Sequence, residues 1–492
     1  MSSPNISFFS IPSNIRKPGV YFEENTNNAL QGLTAPQDKI CLLAQKLSTG
    51  SVASKTPTVV FSDADSALYF GTGSVAHLAT KAMFESNPNI SLTVCAIDDA
   101  GGGTQAAGSF AITGTATAAG SLQIWIGDVG VSVGVSVGDA NTTVATNLGT
   151  ALSAVSNLLP VTYAVVSNAI NLTARHKGTL GNQSTLSYAL NTVTGTGVTL
   201  TQLTGGASDP DVGVYSSAGT VLAAVVAGGY TIFCSTLPDA SNLGKIKSMV
   251  AFASGAMEQR PAVWAAGATE EVDTYSNIKT LAGTTMNDGR GSIAWITYAN
   301  GGNNQAKSEP WKVGAEYAAM LSYNSDPVVP FDGLALATIA PPSVVDRMTR
   351  TQSEDALNNG VTPLEVVPGN EVTIVRAIST YTTTASIPDP TLLDITTVRT
   401  LDYVRAQIRT RLALRFIRAK LSTKTPARVV SQVLDVLYLL EQLEIVQNVA
   451  QYKAGVIAEI DTQTQGQIDV KVPANVVQGL HVIAGVVDLI LG

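Results

Sequence analysis

From Asp38 onward the chain alternates short, continuously apolar runs with stretches of helical spacing. Residues 39–44 and 58–61 are apolar runs of strand length. Residues 73–85 carry Val75, Leu78, Ala82 and Met83 on one helical stripe, and 90–97 reads as strand again. The rhythm stops at Gly101 and resumes at Val212. There follow a helical pattern over 217–227, a strand over 231–234, a helix over 240–257, a strand over 262–266, a helix over 270–281 and a strand over 292–297. Strands alternating with helices predict βαβ units with parallel pairing. Runs without polar interruption are those of strands covered on both faces. Pro341-Pro342 marks a boundary, beyond which 371–378 reads as strand and 397–421 as a long helix.

Between 101 and 210 the pattern is different. Leu122, Ile124 and Ile126 alternate, Gly127-Asp128 can turn, and Val129, Val131, Val133, Val135 and Val137 alternate with Gly and Ser, as in a hairpin. Asp139 is placed to cap a helix with Val144, Leu148, Leu152 and Val155 on one stripe. Short strands follow over 161–166, 170–174, 186–190 and 198–203. The ends look different again. Ile6, Phe8 and Ile11 lie in a short strand-forming run that Pro12 and Pro18 keep from becoming a helix or a central strand. Ile468, Val470 and Val472 alternate near the other end, and 482–491 is apolar. The expected fold class is α/β, a multi-domain chain with an α/β core, a β-rich inserted domain and extended N- and C-terminal arms of strand type. Its parts are an arm over 1–37, core over 38–100 and 211–340, the insert over 101–210, a helical C-terminal core domain over 341–465, and an arm over 466–492.

Composition adds to this picture. Charged residues are only 13% of 492, against roughly 25% in an average soluble protein, which fits a surface largely covered by partners. The net charge of −8 disfavours nucleic acid and anionic membranes as partners. Cys41, Cys95 and Cys234 have no zinc or redox spacing, and their odd number points to a reducing compartment. The first residues lack the basic and apolar regions of a signal peptide, and no apolar stretch has the length of a membrane span.

No catalytic constellation assembles. Phe70-Gly71-Thr72-Gly73-Ser74 lacks the third glycine of a dinucleotide fingerprint and reads as a tight turn with a helix cap. Ser276-Asn277-Ile278-Lys279 has no K-T-G companion. His77, His176 and His481 have no ligand spacing, and Arg175-His176-Lys177-Gly178 reads as a solvated loop tip. The strongest local signal is basic: nine of the 29 Lys and Arg lie within residues 399–428. Leu401, Val404, Ile408 and Leu412 give that helix a core side. Arg405 and Arg409 share a neighbouring face, and Arg411, Arg415 and Arg418 another. It lacks the aromatics of a nucleic-acid site, which leaves a solvated face or a protein contact. Residues 429–492 carry seven acids against Lys453 and Lys471, a complementary block.

The order of short motifs resembles the tail sheath proteins of Mu-like contractile-tailed phages. The resemblance rests on Ile11-Pro12-Ser13 and Pro18-Gly19-Val20-Tyr21-Phe22-Glu23, Gly114-Thr115-Ala116-Thr117, Leu172-Thr173-Ala174-Arg175-His176-Lys177-Gly178 and Leu203-Thr204-Gly205-Gly206. It continues through Ala340-Pro341-Pro342, Asn358-Asn359-Gly360-Val361, Thr380-Tyr381-Thr382-Thr383, Pro388-Asp389-Pro390 and Arg399-Thr400-Leu401-Asp402-Tyr403. The resemblance implies a non-enzymatic subunit without cofactor or metal, assembling with itself as hexameric rings stacked helically around a tail tube protein. It also implies baseplate and tail terminator partners, no nucleic acid or membrane insertion, and a place in the virion tail after assembly in the host cytoplasm. Ile6, Phe8, Ile11, Ile468, Val470 and Val472 would then link subunits by adding strands to neighbours' sheets. Arg411, Arg415, Arg418 and Arg428 are candidates for contact with the tube, on either of two segments, 399–421 or 426–444. Two alternatives stand beside this reading: the sheath of a bacterial contractile injection system or tailocin, and an α/β enzyme with a β insert.

Overall fold

The computed structural model describes residues 16–22, 38–298 and 302–490. Ile6, Phe8 and Ile11 lie outside the described residues. The first α/β stretch is β1 (Lys39–Gln45), β2 (Pro57–Val60), α1 (Asp63–Phe70), α2 (Val75–Ser86) and β3 (Ser91–Ile97). Next come β4 (Gln105–Ala118), β5 (Gly120–Ile126), β6 (Val129–Val135), α3 (Asn141–Val155), β7 (Val161–Val166), β8 (Ala169–Lys177), β9 (Leu186–Asn191) and β10 (Thr194–Thr204). The α/β rhythm returns with α4 (Val221–Val225), β11 (Ile232–Ser235), α5 (Ala240–Ser254), β12 (Val263–Thr269), α6 (Tyr275–Lys279), β13 (Gly291–Ile296) and α7 (Pro310–Leu321). Then follow β14 (Ala335–Leu336), α8 (Arg350–Asn358), β15 (Thr362–Val367), β16 (Glu371–Ile374) and the two-residue strands β17 (Thr383–Thr384) and β18 (Ile387–Pro388). The chain ends in α9 (Ile395–Phe416), α10 (Thr425–Gln442), α11 (Val449–Tyr452), β19 (Ile457–Ile460) and β20 (Ile468–Lys471).

Nine strands form one mixed sheet in the order β14-β16-β15-β13-β12-β11-β1-β3-β2. Its centre is parallel, and β2 at one edge and β16 and β14 at the other run antiparallel to their neighbours. Side chains of β1 go alternately to two cores. Ile40, Leu42 and Ala44 join the layer under α2 and α7, while Cys41 and Leu43 join the layer under α5. This two-sided burial is why its sequence is apolar without a break. Across the sheet α7 approaches so closely that a Cβ on Gly314 would lie 2.6 Å from Gly267 N, so both positions need glycine.

The segment between β4 and β10 has its own apolar cluster, centred on Phe110, Leu122, Ile124, Leu148 and Ile170, between the sheets β10-β4-β8-β7 and β6-β5-β9. It leaves the large sheet and returns at one place, since Thr104 N–H donates to Ala207 O at 3.1 Å. The expected hairpin and its helix are present. Asp139, however, accepts from Ser136 N–H and caps a turn; Ala140 is the cap residue of α3, without a side-chain bond.

Other expectations change with the physics of the neighbours. The helical pattern of 217–227 shrinks to Val221–Val225, because Gly219 takes φ +78° before it and Thr220 caps it. The helix of 270–281 begins at Tyr275 and continues as a wide π turn over Thr280–Met286, which ends at left-handed Asn287. Arg175-His176-Lys177-Gly178 is not a solvated tip. It is the end of β8, with His176 buried against the large sheet. The three cysteines, distant in sequence, sit on the neighbouring strands β1, β3 and β11 as free buried thiols. Burial pushes the Cys95 and Cys234 thiols up to about 12, so both are inert.

Candidate assembly surfaces

The C-terminal elements have a core of their own. Val433, Val436, Leu437 and Leu440 of α10 pack with Tyr403 and Val404 of α9 and with Ile445, Val446 and Val449. The basic residues of α9 divide by position along it. At its start Arg399 binds Asp38 and donates from Nη1 to Leu321 O at 2.8 Å. Arg290 forms a fork with Asp402 at 2.6 and 2.9 Å, a strong planar geometry. Arg405 reaches Ser254 O at 3.0 Å, and Arg409 reaches Gln259 O at 3.0 Å. This half of the helix is fastened to the large sheet's layers.

The other half is not. Arg415 and Arg418 are exposed, Arg411 is half-buried, and Leu414 and Ile417 between them are 77% and 82% exposed. Arg428 of α10 lies over the Phe416 ring, 5.7 Å from its centroid. Among the described residues none of these four arginines forms an ion pair with the acids of 429–492. Their charge therefore remains available within a single chain.

Ile468 and Val472 pack against the core shared by α9 and α10. Val470 and Val472 line a groove of about 840 Å³ opposite Leu401, Val404, Ile408 and Leu412. The expected strand forms as β20, but it already pairs antiparallel with β19 of its own chain, Val470 opposite Ala458. The outer edges of a two-stranded pair leave backbone groups unpaired. Past it, Gln447 N–H donates to Asn475 O at 2.8 Å and Val477 N–H to Ile445 O at 3.1 Å. His481 Nδ1 then lies 2.6 Å from Asp332 Oδ2 and its Nε2 lies 3.6 Å from Asp394 Oδ1. Asp394 is gripped by Arg376 at 2.7 and 2.8 Å, and that bond holds the Arg376 guanidinium above its ordinary value despite partial burial. From Val482 to Ile490 the chain is neither helix nor strand. Val482, Ile483, Val486, Val487, Leu489 and Ile490 are all exposed. Such a contiguous apolar run marks a contact surface. No helix among the described residues is long and apolar enough to cross a membrane. Among them no three His, Cys, Asp or Glu side chains are grouped to hold a metal.

An uncovered apolar arm, open strand edges and a basic helix end are the kind of surfaces that contact other chains in an assembly. Residues 388–490 match the phage tail sheath C-terminal domain. Over 99% of this chain and 100% of the relative, it is 27% identical to the Mu-like prophage FluMu tail sheath protein of Haemophilus influenzae. The resemblance to tail sheath proteins of Mu-like phages therefore holds along the whole chain. Among solved structures, a sheath tail protein from Listeria innocua is 13% identical, with a TM-score of 0.49 over 91% of this chain and 97% of that one. The sheath of an extracellular contractile injection system, PVC, in its contracted state is 12% identical, with a TM-score of 0.48 over 96% and 97%.

Proposed function

We propose that this chain is the structural subunit of the contractile tail sheath of a virus of bacteria, polymerising around the tail tube and contracting to drive it through the host envelope. The observation that carries this reading is the exposed apolar arm beyond His481, next to a strand pair with open edges, in a chain similar end to end to a Mu-like tail sheath protein. In this proposal Ile468, Val470 and Val472, with Ile6, Phe8 and Ile11 of the other arm, link copies by strand addition. Main-chain hydrogen bonds then hold subunits together while leaving their bodies free to rotate. Contraction is a cooperative shift between two packings, so no nucleotide or cofactor is needed. The subunits form hexameric rings stacked helically, ending at baseplate and tail terminator proteins. They are assembled in the host cytoplasm and reside in the virion tail. The segment 101–210 is an outer module, and the end of α9 meets the tube.

Negative-stain microscopy of the purified full chain tests this directly. Long tubes are expected, and a chain lacking residues 1–20 is expected to stay folded but form none. A full chain that remains monomeric at all concentrations refutes the proposal.

A further inference from the structure

The turn between β5 and β6 reaches across to the layers of the large sheet and meets the start of α7. There Lys312 Nζ lies 2.5 Å from Asp128 Oδ2, joining residues 184 positions apart. The pair is largely enclosed, at 15% and 11% side-chain exposure. Ser308 Oγ donates to the same Asp128 oxygen at 2.9 Å and is itself fixed, since it accepts the Ala340 N–H at 2.9 Å. Glu309 is the third member of the cluster. Its buried carboxyl packs on Gly127, the residue before Asp128, so closely that a Cβ there would lie 2.2 Å from Oε1. Burial, and then Asp128, push that carboxyl up to about 8, so it carries its proton at neutral pH. Burial lowers the Lys312 ammonium, but Asp128 beside it outweighs this and holds it above its ordinary value, so the resting pair is ionic. The other nearby acid, Glu316, is taken by Ser86 Oγ and the Thr338 N–H. An amine, a carboxyl and a protonated acid are thus held together beside a cavity of about 430 Å³ walled largely by Val129, Leu158, Pro160, Trp311 and Ile339.

We propose that Lys312 and Asp128 condense to an intramolecular isopeptide bond, which ties the β4–β10 unit covalently to α7. The reaction starts from an ammonium facing a carboxylate. One ammonium proton passes to the Asp128 carboxylate, and the nitrogen lone pair then attacks Cγ. Glu309 gives its proton to an Asp128 oxygen as the tetrahedral carbon forms and recovers one from the nitrogen, ending as it began. The Nζ–Cγ bond forms, one Cγ–O bond breaks, and that oxygen leaves as water with, in net, two of the three ammonium protons. The third stays on the amide nitrogen, so atoms and charge balance without an oxidant, a reductant or a cofactor. Holding the amine against the carboxyl removes the entropic cost of a bimolecular encounter. Condensation also replaces an enclosed ion pair, whose desolvation is costly, by a neutral amide. Force on the β4–β10 unit then reaches α7 through a covalent bond as well as through hydrogen bonds.

Mass spectrometry of the denatured full chain reads the bond. The wild type is expected to be lighter than its sequence by one water, and its protease digest to contain a branched peptide joining the segment of Asp128 to that of Lys312. Lys312→Arg keeps the charge and is expected to show the full sequence mass. Glu309→Gln has no carboxyl proton to exchange, and is expected to condense at least about a hundredfold more slowly. A wild type that stays at full sequence mass after incubation at neutral pH overturns the proposal, whether or not the variants fold. Loss of water without the branched peptide overturns it too. A folded Glu309→Gln chain that condenses as fast as the wild type overturns the role given to Glu309.

Discussion

Arg399 places its Nη2 2.5 Å from Asp38 Oδ2, joining residues 361 positions apart in the chain. Asp38 also accepts from Thr231 Oγ1 at 2.9 Å, immediately before β1, and the guanidinium lies 5.3 Å from the Phe331 ring centroid. One side chain of α9 thus fastens the first strand of the sheet, the end of α7 and the C-terminal helices to one another. The pair is largely buried, at 9% and 12% side-chain exposure. Two such charges balance only when both are present, so losing one is far worse than losing both.

Arg399→Met should therefore lower folding stability by about 3–5 kcal/mol, the range for an orphaned buried partner. Asp38→Asn should do similar damage, and the double variant should lose less than the sum of the two. Urea midpoints of the three chains measure this. Strict additivity would mean that the pair is not coupled.

Proline at Val470 probes the arm. Val470 faces Ala458 in the strand pair and lines the groove along α9, so the change removes a backbone donor and an apolar contact together. The large sheet lies elsewhere, and the circular dichroism of the monomer should barely change. Tubes should shorten or vanish in negative stain. Tubes of normal length would remove this strand from the linkage.

What the sequence made legible depended on one-dimensional signals. Ile40 to Ala44 read as a strand buried on both sides because every side chain there meets a core. Helix α7 gave no such signal: from Val313 to Leu321 it is buried all round, so it has no polar face and no period, and Gly314 argues against a helix. The long strand β4 escaped because Ala, Gly, Ser and Thr dominate it, although it is central to its sheet. Arg175-His176-Lys177 looked solvated because the carboxylate that receives it, Asp99, lies 78 residues earlier than Lys177. The alternation of Ile468, Val470 and Val472 was visible, but not the strand it pairs with, since pairing depends on how the chain returns.

Glu309 makes the stability of the fold depend on pH. It precedes α7 with its carboxyl buried, accepts from Ser184 Oγ at 3.0 Å, and is pushed up to about 8 by burial and then by Asp128, with Lys312 opposing. The unfolded chain ionises Glu309 near the ordinary glutamate value of about 4.3, whereas the folded chain holds the proton until about pH 8. Stability from this group therefore falls as pH rises through that window and levels off above it. Glu309→Gln, which cannot ionise, should flatten the profile of melting temperature between about pH 5 and 8. An unchanged slope would show that Glu309 ionises freely in the folded chain.

Charge reversal at Arg411, Arg415, Arg418 and Arg428 tests the end of α9. None of the four has an ion-pair partner among the described residues, so substitution to Glu should leave the monomer folded, at a cost of about 0.5 kcal/mol or less for each exposed position. The substitution at Arg428 also removes its stacking on the Phe416 ring. Exposed ion pairs contribute about 0–1 kcal/mol each, weak enough for a tube to slip free during contraction yet additive over many copies. If this surface meets the tube, the variant should form sheaths of normal length that sediment without tube protein. If the acids of 429–492 in neighbouring subunits are the partners, the sheath itself should fail. Filled sheaths indistinguishable from wild type would reject both contacts and leave this end of α9 a solvated face.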